Sequence, residues 1–269
     1  MAGSLSDWLE LELLDHVLKT GEAYAVPTDI YVALSTADPK DDKSGIAEVS
    51  TVDTGYVRVV MNVWDAAADR ATENTNIITF PQSLTDWGTI THWAIFDAIT
   101  NGNFLAHGDF TVSKAAPIGT NLYIAAGDID VVFSAGGICD NLANKLLDHV
   151  FKVGAGYTPE EHLYVALFTA SPTDTGVAGT ECANGAYARI VCDVWDAAEA
   201  GASENTNAVT FVAATASWGT VAWFLLLNHL TDAASATNTL IWGTINPTQV
   251  IGIDDEAEYA AGALDITLD

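Results

Sequence analysis

Apolar residues at helical spacing open the chain. Leu9, Leu13, Leu14, Val17 and Leu18 share one face of a predicted helix, with Asp7 and Glu10 as a D-x-x-E cap and Gly21 as the expected stop. The pattern then changes to alternation. Ile30, Val32 and Leu34 alternate with Tyr31 and Ala33, and segments near 56–64, 76–80, 89–97, 104–112, 121–126 and 128–133 read as short strands. Gly, Asn, Asp, Thr and Pro fill the intervals, as turn chemistry requires.

The whole pattern is then written again. Asn141 precedes Leu142, Leu146, Leu147, Val150 and Phe151, with Gly154 beyond as a stop. Leu163, Val165 and Leu167 alternate, and strands are expected near 187–195, 207–212, 220–228, 239–245, 257–261 and 263–268. Leu14-Asp15-His16-Val17-Leu18-Lys19 returns as Leu147-Asp148-His149-Val150-Phe151-Lys152, and Tyr31-Val32-Ala33-Leu34 as Tyr164-Val165-Ala166-Leu167. Trp64-Asp65-Ala66-Ala67 returns as Trp195-Asp196-Ala197-Ala198, Glu73-Asn74-Thr75-Asn76 as Glu204-Asn205-Thr206-Asn207, and Trp87-Gly88-Thr89 as Trp218-Gly219-Thr220. A repeat of this length is domain-sized, so a whole domain is duplicated. The expected organisation is a first module over 1–133, a linker over 134–140 and a second module over 141–269. The predicted fold class is mainly β: two tandem β-sandwich domains, with a jelly-roll strand order left open, each preceded by one N-terminal α-helix. The linker is short and carries Gly136 and Gly137, so the modules are expected to touch and to pivot.

Composition narrows the function. Hydrophobic residues make up 49%, enough for a core in each module, while 36 Asp+Glu oppose 9 Lys+Arg for a net charge of −27. Clustered cations for nucleic acid or anionic lipid are missing, so neither is an expected partner. Self-repulsion on this scale is relieved when the Debye length falls to roughly 3 Å near 1 M salt. The acidic balance reads either as adaptation to high salt, with unfolding then expected in dilute buffer, or as an ordinary acidic surface that keeps a repetitive β protein soluble. No run of 18 apolar residues is present, and Met1–Asp7 lacks the cationic segment of a signal peptide, so no membrane span or export is expected. Cys182 and Cys192 align with Val49 and Met61 and are expected as buried hydrophobes; Cys139, in the linker, is expected exposed.

Candidate chemistry is sparse. H-E-x-x-H, G-x-S-x-G, Walker and Rossmann patterns are absent, so the chain is expected not to be an enzyme. No catalytic, cofactor-binding or metal residues and no cofactors are assigned. His16 and His149 match in the two copies and read as cap or packing residues. His92, His107, His162 and His229 have no histidine counterparts, which argues against a shared zinc site. Asp38-Pro39-Lys40-Asp41-Asp42-Lys43 lacks the ligand order of a calcium loop and reads as a solvated turn. Asp128 and Asp130 read as the polar face of a strand. The Trp-Asp-Ala-Ala to Glu-Asn-Thr-Asn stretch reads as a fixed turn held by its Asn and Thr side chains, with a contact loop as the alternative. Trp87 and Trp218 read as core anchors, with a sugar platform as the alternative.

Several motifs in one order carry a resemblance. They are the leucine helix ending in Asp-His-Val, Tyr-Val-Ala-Leu, Tyr56-x-Arg58 and Tyr187-x-Arg189, and Phe80 and Phe211. Trp87–Asp97, Leu105-Ala106-His107-Gly108 and Ala125–Asp130 complete the string. Together the motifs resemble the small tailed-phage virion proteins called tail-fibre-like, which carry the module once. The second copy departs at Trp223–Asn228, where the more apolar strand is expected to face another subunit. The resemblance implies a virion structural protein and supplies no catalytic residues. The leading expectation is decoration or cementing of the capsid surface of a tailed virus. The major capsid protein or other virion proteins are the expected partners, a trimer the favoured homo-oligomer, and the virion its location after synthesis in the host cytoplasm. A tail or tail-fibre component in host attachment is the alternative, and a glycan-binding or hydrolytic module the third.

Overall fold

The computed structural model describes residues 3–21, 23–154 and 156–268. Strands take 36% of the chain and helices 9%, so the protein is mainly β, as the alternation predicted. The first module runs β1 (Ser4–Leu5), α1 (Asp7–Leu18), β2 (Tyr31–Ser35), β3 (Val59–Val60), β4 (Ala71–Glu73), β5 (Ile78–Gln82), β6 (Thr89–Phe96), β7 (Phe104–Ala115), β8 (Asn121–Ile124) and β9 (Asp130–Val132). The second runs α2 (Asp140–Phe151), β10 (Tyr164–Ala170), β11 (Thr180–Glu181), β12 (Ile190–Val191), β13 (Ala202–Glu204), β14 (Val209–Thr210), β15 (Gly219–Leu227), β16 (Thr239–Ile251), β17 (Glu258–Tyr259) and β18 (Asp265–Thr267).

In the first module β1-β7-β6-β2-β3 form one antiparallel sheet, and the pairs β4-β9 and β5-β8 form the layer against it. The second module repeats this with β16-β15-β10, flanked by β11 and β12, opposed by β13-β18 and β14-β17. Apolar side chains of both layers meet in each module: in the first, Val32, Leu34, Trp93 and Ile95 come from the large sheet, and Ile78, Phe80, Ile124 and Val131 from the smaller pairs.

Local chemistry moves several expected boundaries. Ser6 caps α1, its Oγ accepting from Leu9 N–H at 3.2 Å, so Asp7 and Glu10 lie in the first turn. Asn141 lies inside α2, whose N-cap is Cys139. The left-handed residue closing each helix is Lys19 (φ 59°) or Lys152 (φ 66°), ahead of the glycines. The segment expected as a strand over 56–64 is a strand only at Val59–Val60, with an isolated bridge from Trp64 to Asn74. Asp128 lies in a turn, where its carboxylate accepts from Lys114 Nζ (3.1 Å) and Ala125 N–H (3.3 Å).

The segment between the modules is part of the architecture. Ile138 and Cys139 are 2% and 0% exposed, and Ile138 bridges to Ile241. Arg70 donates to the carbonyls of Phe133, Ser134 and Ile138 and pairs with Asp140 at 3.3 Å, holding the segment down. Cys139 is thus buried, against the expectation of exposure, because this segment supplies the lead-in to α2. All three cysteines are free and buried. Burial pushes the Cys139 thiol up to about 12, helped by Asp174 and Asp140, and Cys182 and Cys192 up to about 11. Thiolate is the reactive form, so a thiol reagent is expected to leave the native chain unlabelled and to take up three equivalents in denaturant. Fast labelling of the native chain would contradict this burial.

Trp223–Asn228 does not present a sticky strand. Leu225 and Leu227 are fully buried on the outer face of their sheet, under Cys139, Phe168 and Ala234. The loop after β15 folds back over the added apolar surface, so the expected subunit contact is satisfied within the module.

Candidate functional site: the face between the modules

Two of the repeated strings, the helix ends carrying Asp-His-Val and the Trp-Asp-Ala-Ala loops, are brought together here. α1 packs on β13 of the second module, and α2 on β4 of the first. One apolar core runs through both modules and includes Leu13, Val17, Leu147, Val150, Trp64 and Trp195. The Phe151 ring, at the end of α2, lies 4.4 Å from the Trp64 ring of the first module.

Polar groups follow the same reciprocal plan. Asp15 Oδ1 accepts from Ala198 N–H at 2.6 Å, and Asp148 Oδ1 accepts from Ala67 N–H at 2.7 Å. Lys19 Nζ donates to the carbonyls of Glu160 (2.9 Å) and Glu161 (2.8 Å), and Lys152 Nζ donates to Thr28 O. At the centre the imidazoles of His16 and His149 stack, 4.9 Å between centroids and 13° between planes. Tyr24 N–H donates to His16 Nδ1 (3.2 Å) and Tyr157 N–H to His149 Nδ1 (3.1 Å). His16 Nε2 meets Tyr157 O at 3.2 Å, and His149 Nε2 meets Tyr24 O at 3.4 Å. An Nδ1 that accepts a backbone N–H carries no proton, so both rings are neutral with the proton on Nε2. Residue i touching j while its copy touches i's copy is the signature of an isologous interface. The two modules therefore sit as a two-fold pair fused in one chain.

The repeated loop is both things the sequence allowed. As a turn, Asn74 Nδ2 donates to Asn76 O and Ala125 O (2.8 Å each), its Oδ1 accepts from Ile129 N–H, and Asn205 repeats all three bonds. As a contact loop it offers Ala67 and Ala198 N–H to the opposite helix. Beside it lies a cleft of about 430 Å³ lined by Asp196, Glu199, Glu204 and Asp265, with a smaller one of about 230 Å³ at Asp65, Glu73 and Asp130. Among the described residues no group of three or more His, Cys, Asp or Glu is placed to hold a metal ion, and no helix is long and apolar enough to cross a membrane.

The other singled-out residues lie apart. Trp87 and Trp218 are 5% and 4% exposed, edge-on to Tyr56 and Tyr187, and so serve as core anchors. The Asp38–Lys43 loop folds onto the outer face of its sheet: Asp41 bonds His107 at 2.9 Å, and Lys43 Nζ stands 4.7 Å from the Phe96 ring. Sequence reasoning missed Glu48 and Glu181. Each accepts a two-pronged bond from Arg58 or Arg189 at 2.8 Å and a hydroxyl bond from Tyr56 or Tyr187. Their signal was available, since Glu48 and Glu181 hold equivalent places before the two Tyr-x-Arg motifs.

The stacked pair is expected to make docking pH-sensitive. Burial holds both imidazoles below their ordinary value; for His149 the facing His16 adds to this, and the Tyr157 and Tyr24 carbonyls pull the other way. A base depressed in the folded state contributes stability fully above the unfolded value, about 6.5, and loses it as pH falls through the folded value. Asp15, Asp148, Lys19 and Lys152 bond across the same face, and burial and Asp15 raise the Glu12 carboxyl. The comparison is therefore with His16→Asn/His149→Asn, in which Oδ1 replaces Nδ1 as acceptor without titrating. The wild-type urea midpoint is expected to fall more steeply than the variant's below about pH 6.5. Parallel curves would exclude the histidines.

Part of what the two copies share thus docks one module on the other, and the rest holds each module together. The chain belongs to the family described as podophage GP4 fiber I protein gp80, whose model matches residues 4–132 and again 137–267. It is thus a phage structural protein of the fibre type, and the resemblance read from the sequence holds. No curated protein matches it.

Proposed function

We propose that the chain is a structural subunit of the fibre of a tailed virus, acting through docked surfaces without catalysis. The double match to a family described as a fibre protein supports this reading, and head decoration, the leading expectation from sequence, is the alternative that particle imaging separates from it. Imaging intact particles with this chain tagged tests the placement. Label along fibres at the tail is expected; label spread over the head shell would return the protein to capsid decoration.

The net charge of −27 supports a working environment of concentrated salt. The unfolding midpoint is expected to rise as salt approaches about 1 M, where the Debye length is roughly 3 Å. Full stability without added salt would sink the high-salt reading alone.

A further inference from the structure

We propose that the end of the first module carrying Val52, Leu84 and Ile118 is a self-association surface, occupied by the same end of a second copy of this chain. Three loops are tied together there. Leu84 N–H donates to Thr54 O (2.8 Å), Gly119 N–H to Ser83 O (2.8 Å) and Trp87 Nε1 to Thr54 O (2.9 Å). Each loop presents one large apolar side chain: Val52 is 73% exposed, Leu84 60% and Ile118 71%. Three such side chains on hydrogen-bonded neighbouring loops concentrate exposed apolar surface at this end.

The second module supplies an internal control. Its loops are tied by the equivalent bonds, Thr215 N–H to Gly185 O, Asp254 N–H to Ala214 O and Trp218 Nε1 to Gly185 O. The backbone frame is therefore kept while the surface is not. Thr215 stands where the first module has Leu84, and the loop from Glu181 to Tyr187 is shorter than that from Glu48 to Tyr56 and has lost Val52. Asp254, Asp255, Glu256 and Glu258 stand in place of Gly119, Thr120, Asn121 and Tyr123. Only Ile253 keeps its counterpart, Ile118. The first end thus carries three exposed apolar side chains and two acids, Asp53 and Asp86; its twin carries Ile253, with Val250 beside it, and four acids, Asp254, Asp255, Glu256 and Glu258.

Charge selects the occupant. Two chains of −27 repel wherever carboxylates face carboxylates. In the loops 50–55, 83–87 and 116–121 the acids are Asp53 and Asp86 alone. Copies can meet here by burying apolar surface with least repulsion, and the remaining repulsion is screened by salt. A basic partner would instead be drawn to the acidic twin, and salt would weaken its binding. This inference does not rest on the fibre placement.

Sedimentation equilibrium of the full chain, at about 0.1 and 1 M NaCl, tests it. The wild type is expected to self-associate, more tightly at the higher salt. Leu84→Glu and Ile118→Glu should weaken association by about tenfold or more, and Ile253→Glu in the second module should leave it unchanged. Leu84→Thr, which installs the second module's own residue, should weaken it in the same direction with no added charge. All these side chains are exposed, and circular dichroism verifies the fold. A monomer at every concentration and salt, an association indifferent to the Leu84 and Ile118 variants, or an equal loss from Ile253→Glu would overturn the proposal.

Discussion

Phe151→Ala is expected to cost about 3–5 kcal/mol, the usual penalty for deleting a fully buried aromatic ring, and to destabilise both modules at once. Phe151 belongs to α2 but is buried against Trp64 of the first module. Its loss leaves a cavity on the face between the modules, in a core continuous through both. If modules share a core, neither can unfold while the other keeps its docked surface. Calorimetry is therefore expected to show one cooperative transition for the wild type and one, shifted downward, for the variant. Two resolved transitions, with only the second displaced, would mean that the modules are independent and that the shared core is energetically idle.

That shared core explains how far the sequence could be read. Helical spacing located both helices, and apolar runs bounded by turn residues located the long strands β6, β7, β15 and β16, of which β6 and β15 end buried on both faces. The duplication was legible from identical strings. What the strings were for was not. Asp15, His16 and Lys19 look like ordinary surface and cap residues on a helix, and Trp64-Asp65-Ala66-Ala67 like an ordinary turn. Their roles lie in partners 81 to 183 residues away along the chain, and no local pattern carries that pairing. Short elements failed for another reason: β1, β4 and β13 are two or three residues long, with polar composition, and exist because a neighbour pairs with them. The same logic misled the reading of Cys139 and of Trp223–Asn228. A glycine-bearing segment and an apolar strand each look exposed until the covering element is known, and here that element is the module's own chain.

Arg58→Ala is expected to cost roughly 3–5 kcal/mol, while Arg58→Met/Glu48→Gln costs distinctly less. The Arg58 side chain is 7% exposed and donates to both Glu48 oxygens at 2.8 Å. It also donates to Ala98 O (2.9 Å) and Asn101 O (2.7 Å), and its guanidinium lies 3.5 Å from the Phe96 ring centroid. Removing it alone strands a partly buried carboxylate and two carbonyls, so the penalty exceeds the worth of the pair itself. Replacing both partners removes the stranded charge and keeps volume. The amide oxygen of the introduced glutamine can still accept from the Tyr56 hydroxyl, which in turn accepts from Leu34 N–H. The two substitutions should therefore be strongly non-additive in a double-mutant cycle read by denaturant midpoint. The second module sharpens the test. Arg189 keeps the Glu181 pair but bonds a single loop carbonyl, His229 O, so Arg189→Ala should cost less than Arg58→Ala. Equal costs at the two positions would show that the Glu pair carries the energy and that the loop carbonyls and Phe96 add nothing.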